Sequence, residues 1–440
     1  MEYDVVIVGA GLAGCGAAIL LARNGFRVAL LEAHRNAHEY KRLCTHSIRS
    51  SAVPTMRRLG IEDAVRAAGA VPAIDNHWTR FGWLTDPGAD DRPAHGYNIR
   101  RQTLDPLVRD IAARTSGVDL VLGAKAVALE LDGDGRAEGV TVLENGAPRH
   151  ISARLVVGAD GRHSRVAALA GLTARELPNR RFIYYAYYTG VEIPAGRELR
   201  TWLLEPDVLS VTLNDDGIVG VGGLFDKDGL AEFDDGDRAE ALLRKFDGVA
   251  DAPDFRGATR IGPVIGTRDY PSIIRDRLTA PGVALIGDAA MVTDPLVGTG
   301  CGWAFQSAEW LADAVREPLR RKDPRGIDGA ARRYQRTHRT RLLLHQHAAV
   351  DFSRRREFFP ILAAYYAAAC ADADVAARFF AVGTRNRSPL TLLAPSIVAK
   401  VLAVNIRRWR HAAVRTKETA WQATNGPSTT SPTNPGARSS

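Results

Sequence analysis

The fold is decided by the N-terminal stretch YDVVIVGAGLAGCGAAILLARNGFRVALLE, residues 3–32. The apolar run at residues 4–8 predicts a buried strand, and the Ala- and Leu-rich segment that ends at Arg23 predicts a helix. A second apolar run at residues 27–31 predicts another strand. This order of strand, turn, helix and strand is typical of the opening unit of a parallel α/β sheet.

A glycine triad and one acidic residue occupy the functional positions of this unit. Gly9, Gly11 and Gly14 form the pattern G-x-G-x-x-G directly after the first strand. Gly9 allows a tight turn, Gly11 lets backbone N–H groups approach a pyrophosphate, and Gly14 lets helix and strand pack closely. Glu32 ends the second strand, where its carboxylate can accept hydrogen bonds from ribose hydroxyls. The unit predicts a dinucleotide site and does not by itself separate FAD from NAD.

Two later segments repeat this order of a buried strand and a glycine–acid turn. In residues 153–172 a short strand is followed by Asp160 and Gly161. In residues 282–315 a strand is followed by Asp288. The loop and helix start after Asp288 contain Pro295, Gly298, Gly300 and Gly302. Together with the first unit, these signatures indicate one cofactor, FAD.

With these motifs in this order, residues 1–320 resemble the class A flavoprotein monooxygenases of the para-hydroxybenzoate hydroxylase type. The resemblance to geranylgeranyl reductases and flavin halogenases is looser. Residues 101–105 (Arg-Gln-Thr-Leu-Asp) match the R-x-x-L-D segment of the family. The resemblance implies an α/β fold: a Rossmann-like FAD-binding domain of the glutathione reductase type, an antiparallel β-sheet substrate domain and C-terminal helices. It also implies FAD as the cofactor and NADPH or NADH as the reductant.

The resemblance implies roles for residues near the flavin ring. Asp288 would bond a hydroxyl of the FAD ribityl chain, and the alternative is a helix-capping Asp. The segment 295–302 would lie beside the isoalloxazine ring, where Gly298 and Gly300 let the backbone come close. The helix that begins near Gly300 would direct its positive end toward the flavin. The alternative for this segment is an ordinary loop-to-helix cap.

Other residues are assigned by the resemblance to the rest of the cofactor. Arg101 would reach the FAD pyrophosphate or ribityl region, although adjacent Arg100 leaves the helix register open. The alternative is a surface arginine on an amphipathic helix. Asp160 and Gly161 would support the flavin and help to form an NAD(P)H docking surface. A capped turn between strand and helix would explain both residues almost as well.

Three residues are candidates for catalysis. Residues 43–49 stand where the family places flavin-contacting residues, so His46 and Arg49 are expected near the reacting centre. Either could instead be a capping or surface residue, because sequence does not show reach to a substrate. Pro295 is the third candidate, since it lies in the loop assigned to the flavin ring. No metal site is expected.

The remaining pattern divides the chain into domains. Short β-rich runs separated by turn signals, followed by a helix at 238–246, predict an antiparallel sheet after residue 181. Its aromatic residues alternate in direction and only one face can line a pocket, so at least half of them are expected to be core or surface residues. The β-rich runs are residues 182–189, 200–204, 208–213 and 218–224, and their aromatic residues include Tyr184, Tyr185, Tyr187, Tyr188 and Trp202. The predicted domains are FAD-binding (1–73, 98–180, 270–330), substrate (74–97, 181–269), C-terminal helical (331–416) and disordered tail (417–440).

Composition limits the function and the compartment. The 440 residues carry a formal charge of +8, but only 7 of the 58 basic residues are lysine and no nucleic-acid motif accompanies them, so nucleic acid is not an expected partner. The four cysteines show no paired spacing, which indicates a reducing compartment. No secretory signal precedes the first strand, so a cytoplasmic location is expected. The apolar segment 390–404 is shorter than the ~20 residues of a membrane span, so it predicts a packed helix, with weak membrane-surface association as the alternative.

These features lead to an expected activity and two alternatives. The expected activity is an FAD-dependent monooxygenase that uses NAD(P)H and O2. It would hydroxylate or epoxidise an apolar small molecule, aromatic or polyene, through a flavin C4a-hydroperoxide. The first alternative is an FAD-dependent reductase of prenyl-chain double bonds, and the second is a non-catalytic FAD-bound partner protein. The substrate and the oligomeric state stay open.

Overall fold

The computed structural model describes residues 2–88, 93, 95–234 and 236–425. The strands are β1 Tyr3–Val8, β2 Val28–Glu32, β3 Ser47–Ile48, β4 Val71–Ala73, β5 Asp75–Thr79, β6 Gly82–Thr85, β7 Gly96–Asn98, β8 Val118–Leu122, β9 Ala124–Leu131, β10 Ala137–Glu144, β11 Ala147–Gly158, β12 Ala174–Leu177, β13 Arg181–Thr189, β14 Leu199–Leu203, β15 Val208–Leu213, β16 Val219–Asp226, β17 Thr259–Thr267, β18 Ser272–Arg275, β19 Thr279–Ala280, β20 Val283–Leu285 and β21 Met291–Val292. The helices are α1 Leu12–Arg23, α2 Val53–Arg58, α3 Glu62–Ala67, α4 Arg101–Arg114, α5 Arg165–Leu169, α6 Arg238–Arg244, α7 Gly300–Arg321, α8 Pro324–Arg354, α9 Pro360–Ala369, α10 Ala373–Gly383 and α11 Pro395–Asn425.

The first sheet has the order β19-β20-β11-β1-β2-β8, with β9 and β10 joined through β11. Strand β1 runs parallel to both β2 and β11, and β11 runs parallel to β20. Helices α1 and α7 pack on one face, where a Cβ on Gly16 would lie 3.5 Å from Ala308 Cβ. Because parallel strands end at the same edge, the turns after β1, β2, β11 and β20 meet there. Ligands of open α/β sheets bind at this edge.

The second sheet has the order β17-β13-β16-β15-β14-β5-β6 and is antiparallel except between β14 and β5. Phe182, Tyr184 and Tyr188 alternate onto one face of β13 and pack in a core with the α6 helix. Tyr185 faces the other side, where its ring covers Gly222 of β16 so closely that a Cβ there would lie 2.0 Å from the ring. Tyr184, Tyr185, Tyr188 and Trp202 are buried, and Tyr187 is partly exposed.

The C-terminal helices pack against both sheets. Helix α8 lies along α7, and helices α9 to α11 form a core cluster with residues of the second sheet. Ile397, Val401 and Val404 of α11 are buried in that cluster. No helix in the described part of the chain is long and apolar enough to cross a membrane.

The expected α/β fold class is confirmed, and several predicted elements match closely. Strand β15 has the predicted limits 208–213, and the helix predicted at 238–246 ends at Arg244. The tail predicted at 417–440 overlaps α11, which continues to Asn425. Residues 426–440 lie outside the described residues. The domain limits stay a prediction, although β5 and β6 do join the second sheet as the assignment of 74–97 requires.

Candidate cofactor cavity

One cavity of about 590 Å³ opens at the carboxyl edge of the first sheet. Its size is that of a small-molecule or cofactor site. It brings together ten of the residues that the sequence assigns to the site. They are Gly9, Gly11, Glu32, Arg101, Asp160, Gly161, Asp288, Pro295, Gly298 and Gly300. Gly14, His46 and Arg49 do not line this cavity.

The glycine triad has two tightly packed members and one open member. A Cβ on Gly9, whose φ is +105°, would lie 2.5 Å from the carbonyl oxygen of Ala159. A Cβ on Gly14 would lie 1.8 Å from the carbonyl oxygen of Gly9. A Cβ on Gly11 would meet no atom within 4 Å. Gly9 and Gly14 are therefore required by packing, whereas Gly11 leaves free space at the helix start, where a pyrophosphate fits.

Glu32 holds the same glycine loop from the end of β2. Its carboxylate accepts hydrogen bonds from the backbone N–H groups of Ala10 and His34, both at 3.0 Å. The side chain is buried but lines the cavity. Because each carboxylate oxygen has a second lone pair, Glu32 can also accept a hydrogen bond from a ribose hydroxyl.

Helix α4 presents a row of charged side chains to the cavity. Arg101 donates two hydrogen bonds to Asp105, at 2.5 and 2.9 Å, and both residues are buried. Asp105 also accepts a hydrogen bond from the backbone N–H of Lys41 at 3.0 Å. Arg109 donates to the carbonyl oxygen of Ala10 at 3.1 Å. The sequence prediction missed Arg109, although its spacing of eight residues from Arg101 places both on one helix face.

The sequence left open which of the adjacent residues Arg100 and Arg101 faces the cavity, and the structure decides this. Arg100 turns away from the cavity and donates to the carboxylates of Asp215 at 2.7 Å and Asp216 at 2.6 Å, in the turn between β15 and β16. Arg101 therefore faces the cavity.

A lysine that the sequence prediction missed is paired with Asp288. Lys41 Nζ lies 2.7 Å from Asp288 Oδ2, and both side chains line the cavity. Their side chains are 37% and 25% exposed, so solvent weakens the pair. No local pattern around Lys41 signals this contact, because its partner is 247 residues away.

Asp160 acts as a cap, which was the alternative interpretation. Its carboxylate accepts hydrogen bonds from Ser164 Oγ at 2.6 Å and from the backbone N–H groups of Arg165 and Val166 at 2.7 and 3.0 Å. These bonds tie the turn after β11 to helix α5. Asp160 and Gly161 also line the cavity, so a capping role is compatible with a role in supporting the flavin. Contact with the cofactor stays a prediction.

The loop before α7 forms the far wall of the cavity. Asp294 is fully buried, accepts a hydrogen bond from Leu296 N at 2.9 Å, and has its pKa raised by burial. Gly298 has a φ of +61°, and a Cβ on it would lie 2.9 Å from Arg49 Nη2. A Cβ on Gly300 would meet nothing within 4 Å. The first turn of α7 therefore faces open space, which suits the approach of a flat ring.

His46 lies behind the cavity wall and not in it. It is 2% exposed, has a φ of +61°, and its Nδ1 accepts a hydrogen bond from Arg101 N at 3.0 Å. Burial lowers the pKa of His46, so the ring is neutral and carries its proton on Nε2. Nε2 forms a short contact with the hydroxyl of Tyr187. His46 thereby positions the start of α4.

Arg49 also lies outside the cavity. It forms a close ion pair with Asp75 of β5 and supports the Gly298 turn from behind. The catalytic roles expected for His46, Arg49 and Pro295 stay predictions.

Two thiols complete the wall. Cys44 Sγ lies 4.0 Å from Cys301 Sγ, and both residues line the cavity.

No group of three or more metal-ligating side chains occurs in the part of the chain that the structure describes. The polar groups present are backbone N–H and guanidinium donors and carboxylate acceptors, around open glycines. This set fits the pyrophosphate, ribose and ring of FAD.

Comparison with known proteins agrees with this geometry. Residues 2–206 match the family described as FAD binding domain. The chain is 27% identical over 348 residues to digeranylgeranylglycerophospholipid reductase of Methanocaldococcus jannaschii, covering 72% of this chain and 82% of the relative.

Solved structures share the fold. The flavin-dependent brominase Bmp2 superposes with a TM-score of 0.74 at 17% identity, covering 93% of this chain and 100% of the brominase. PqsL of Pseudomonas aeruginosa, described as a probable FAD-dependent monooxygenase, superposes with a TM-score of 0.65 at 20% identity, covering 86% of this chain and 99% of PqsL. The resemblance expected from the motifs is confirmed. The protein is an FAD-dependent oxidoreductase, and its residues 2–206 match the FAD binding domain family.

Proposed function

We propose that the protein is a monooxygenase that binds FAD in the 590 Å³ cavity and consumes NAD(P)H and O2. One oxygen atom enters an apolar, aromatic or polyene small molecule, and the other leaves as water. Bound FAD supplies the transfer of an electron pair from the nicotinamide to oxygen. A cytoplasmic location remains part of this proposal.

The observation that carries the proposal is the open wall at Gly300. No atom lies within 4 Å of a Cβ built there, so the space beside the first turn of α7 is free. The N–H groups at the start of α7 carry the positive end of the helix dipole, which favours negative charge on a reduced ring. Met291, Trp303 and Ala304 add apolar surface to the same wall, which excludes water and suits an apolar substrate.

In this proposal, the residues of the chain bind FAD and orient it. Gly11 and the start of α1 receive the pyrophosphate, Glu32 receives the ribose, and Asp288 receives a ribityl hydroxyl. Arg101 adds positive charge that its two bonds to Asp105 hold in place.

The test combines a flavin assay with isotope labelling. The purified chain is expected to contain FAD and to oxidise NAD(P)H faster when a phenol, an indole or a prenyl alcohol from a panel is added. With labelled O2, one labelled oxygen atom should appear in the product for each NAD(P)H consumed. A flavin-loaded chain that converts a panel compound without incorporating labelled oxygen contradicts the proposal.

The second candidate is a reductase of prenyl-chain double bonds, and the two thiols favour it. Oxygen activation yields peroxide-level oxidants, which convert nearby thiols to sulfenic acids. Cys44 and Cys301 in the cavity wall would be exposed to such oxidants. The similarity to the M. jannaschii reductase also favours the reductase candidate. In this case NAD(P)H and a proton reduce the double bond and no oxygen is consumed, so turnover should continue anaerobically.

An exposed apolar stripe on α11 fits a lipid-like substrate. Leu402, Ile406 and Trp409 are 57%, 50% and 72% exposed and recur at helical spacing. Arg407 and Arg410 lie near them in the same helix. We propose weak association of this stripe with a membrane surface. The chain should sediment with anionic vesicles, and Trp409→Glu should reduce the bound fraction. Equal sedimentation of both proteins contradicts this proposal.

A further inference from the structure

The feature that the expected activity does not use is the pair of thiols in the cavity wall. Cys44 lies in the segment before β3, and Cys301 is the second residue of α7. Their sulfur atoms are 4.0 Å apart, although 257 positions separate them in the chain. This distance is van der Waals contact between two sulfur atoms, so the thiols touch.

The surroundings of the pair favour one thiolate. Arg101 Nη1 lies 3.9 Å from both sulfur atoms, and the backbone N–H of His46 donates to Cys44 Sγ at 3.3 Å. The hydrogen bond from the Cys301 thiol holds the pKa of Cys44 well below its usual range, and the positive charge of Arg101 lowers it further. The thiolate is the form of cysteine that reacts as a nucleophile and in redox exchange.

The other two cysteines of the chain have no such surroundings. Cys15 is buried under the glycine loop and donates to the carbonyl oxygen of Ala10 at 3.3 Å, and burial raises its pKa to about 12. Cys370 contacts Thr79 and the carbonyl oxygen of Gly82, and burial also raises its pKa. Neither is paired with another sulfur, so these two thiols are internal controls.

We propose that Cys44 and Cys301 form a redox-active dithiol that exchanges an electron pair with FAD bound in the same cavity. A sulfur–sulfur bond forms, the thiolate and the thiol together lose one proton and one electron pair, and the oxidised flavin takes up both to become the anionic dihydroflavin. The reverse step regenerates the thiols at the expense of reduced flavin. Disulfide formation requires the sulfur atoms to close from 4.0 Å to about 2.05 Å, a side-chain movement of about 2 Å.

The proposal rests on FAD binding but does not depend on which substrate is oxidised or reduced. The dithiol gives the holoenzyme a second two-electron store beside the flavin. It also ties the state of the flavin to a covalent link between the segment before β3 and the start of α7, which both line the cavity.

The decisive measurement is an anaerobic reductive titration of the air-oxidised holoenzyme with dithionite. Wild-type protein is expected to take up one electron pair more than its bound FAD accounts for. Cys44→Ser and Cys301→Ser should each take up only the pair that belongs to FAD. Cys370→Ser is the matched control and should behave as wild type. The FAD content of each protein is measured after the FAD has been released, and the number of electron pairs taken up is divided by this content.

Peptide mapping of the same wild-type samples identifies the bond. A linked peptide pair containing Cys44 and Cys301 should be present before reduction, and two free-thiol peptides should replace it afterwards. Because peptide mapping uses only the wild-type protein, its result is valid even where a serine substitution disturbs folding. A flavin-loaded wild-type chain that takes up only the pair of its FAD and yields no linked peptides overturns the dithiol while leaving the proposed function intact. A folded chain that holds no FAD contradicts both.

Discussion

Two parts of the cofactor cavity are built in different ways. At the glycine loop, Gly9 and Gly14 pack so closely on backbone atoms that no side chain fits. In the second part, charged and sulfur-containing side chains from four separate segments of the chain meet. They are Lys41 and Cys44, Arg101, Asp288 and Cys301. The first part is determined by local steric limits and the second by long-range contacts. We therefore expect substitutions to affect folding in the first part and ligand chemistry in the second.

The largest effect is expected for Gly14→Ala. Its Cβ would lie 1.8 Å from the carbonyl oxygen of Gly9, so the helix must move away from β1. We expect a loss of about 3 kcal/mol in the free energy of unfolding, as for overpacked cores. Urea unfolding of the FAD-free protein measures it.

Gly11→Ala is the matched control for Gly14→Ala. Since a Cβ on Gly11 meets nothing within 4 Å, the FAD-free protein should keep the wild-type stability. Its affinity for FAD should fall by about tenfold or more, because the methyl group occupies space that the pyrophosphate needs. Equal stability of Gly14→Ala and Gly11→Ala would remove the distinction between the two glycines.

A smaller effect is expected for Asp288→Ala in the second part of the cavity. The carboxylate is available to a ribityl hydroxyl, and a hydrogen bond to a charged group contributes about 2 kcal/mol. The Kd for FAD, measured by quenching of flavin fluorescence, should rise about 30-fold. Lys41→Met should change the Kd by less than about fivefold, because its ion pair with Asp288 is partly exposed. A larger effect of Lys41→Met than of Asp288→Ala would assign the main contact to the lysine.

The smallest effect concerns pH and the histidine behind the wall. Burial lowers the pKa of His46, so between its folded and unfolded pKa values the unfolded chain binds more protons. Its contribution is therefore fully present above about pH 6.5 and decreases as the pH falls, by at most about 1.4 kcal/mol per pH unit. His46→Asn keeps an acceptor for Arg101 N and tolerates the left-handed backbone, but does not titrate.

Thermal unfolding from pH 7 to pH 5 tests this prediction for His46. The wild-type protein should lose more stability over this range than His46→Asn does. Parallel pH profiles of the two proteins would show that His46 does not titrate on unfolding in this range.

Much of the fold follows from sequence because its signals are local. Strand β15 and helix α6 were predicted from alternation and turn residues within about ten positions. Nine residues of the three glycine–acid signatures line one cavity, since each turn follows a parallel strand and these strands end at one edge.

The parts of the site that were missed depend on contacts between distant segments. Lys41 pairs with Asp288 across 247 positions, and Cys44 meets Cys301 across 257. Cysteine spacing showed no pairing, because spacing reports only on neighbours in the chain. The choice between Arg100 and Arg101 also needed the turn between β15 and β16, where Asp215 and Asp216 hold Arg100.

By itself, the sequence determined where the backbone around the cofactor cavity leaves no room for a side chain, because Gly9 and Gly14 stand where a Cβ would strike a neighbouring carbonyl group. The tertiary structure alone decided which side chains face each other across that cavity. The physical reason is that steric limits on backbone turns act over a few residues, whereas the meeting of thiols, carboxylates and cations depends on how whole strands and helices pack. The wall formed by Cys44, Arg101 and Cys301 is one result of that packing.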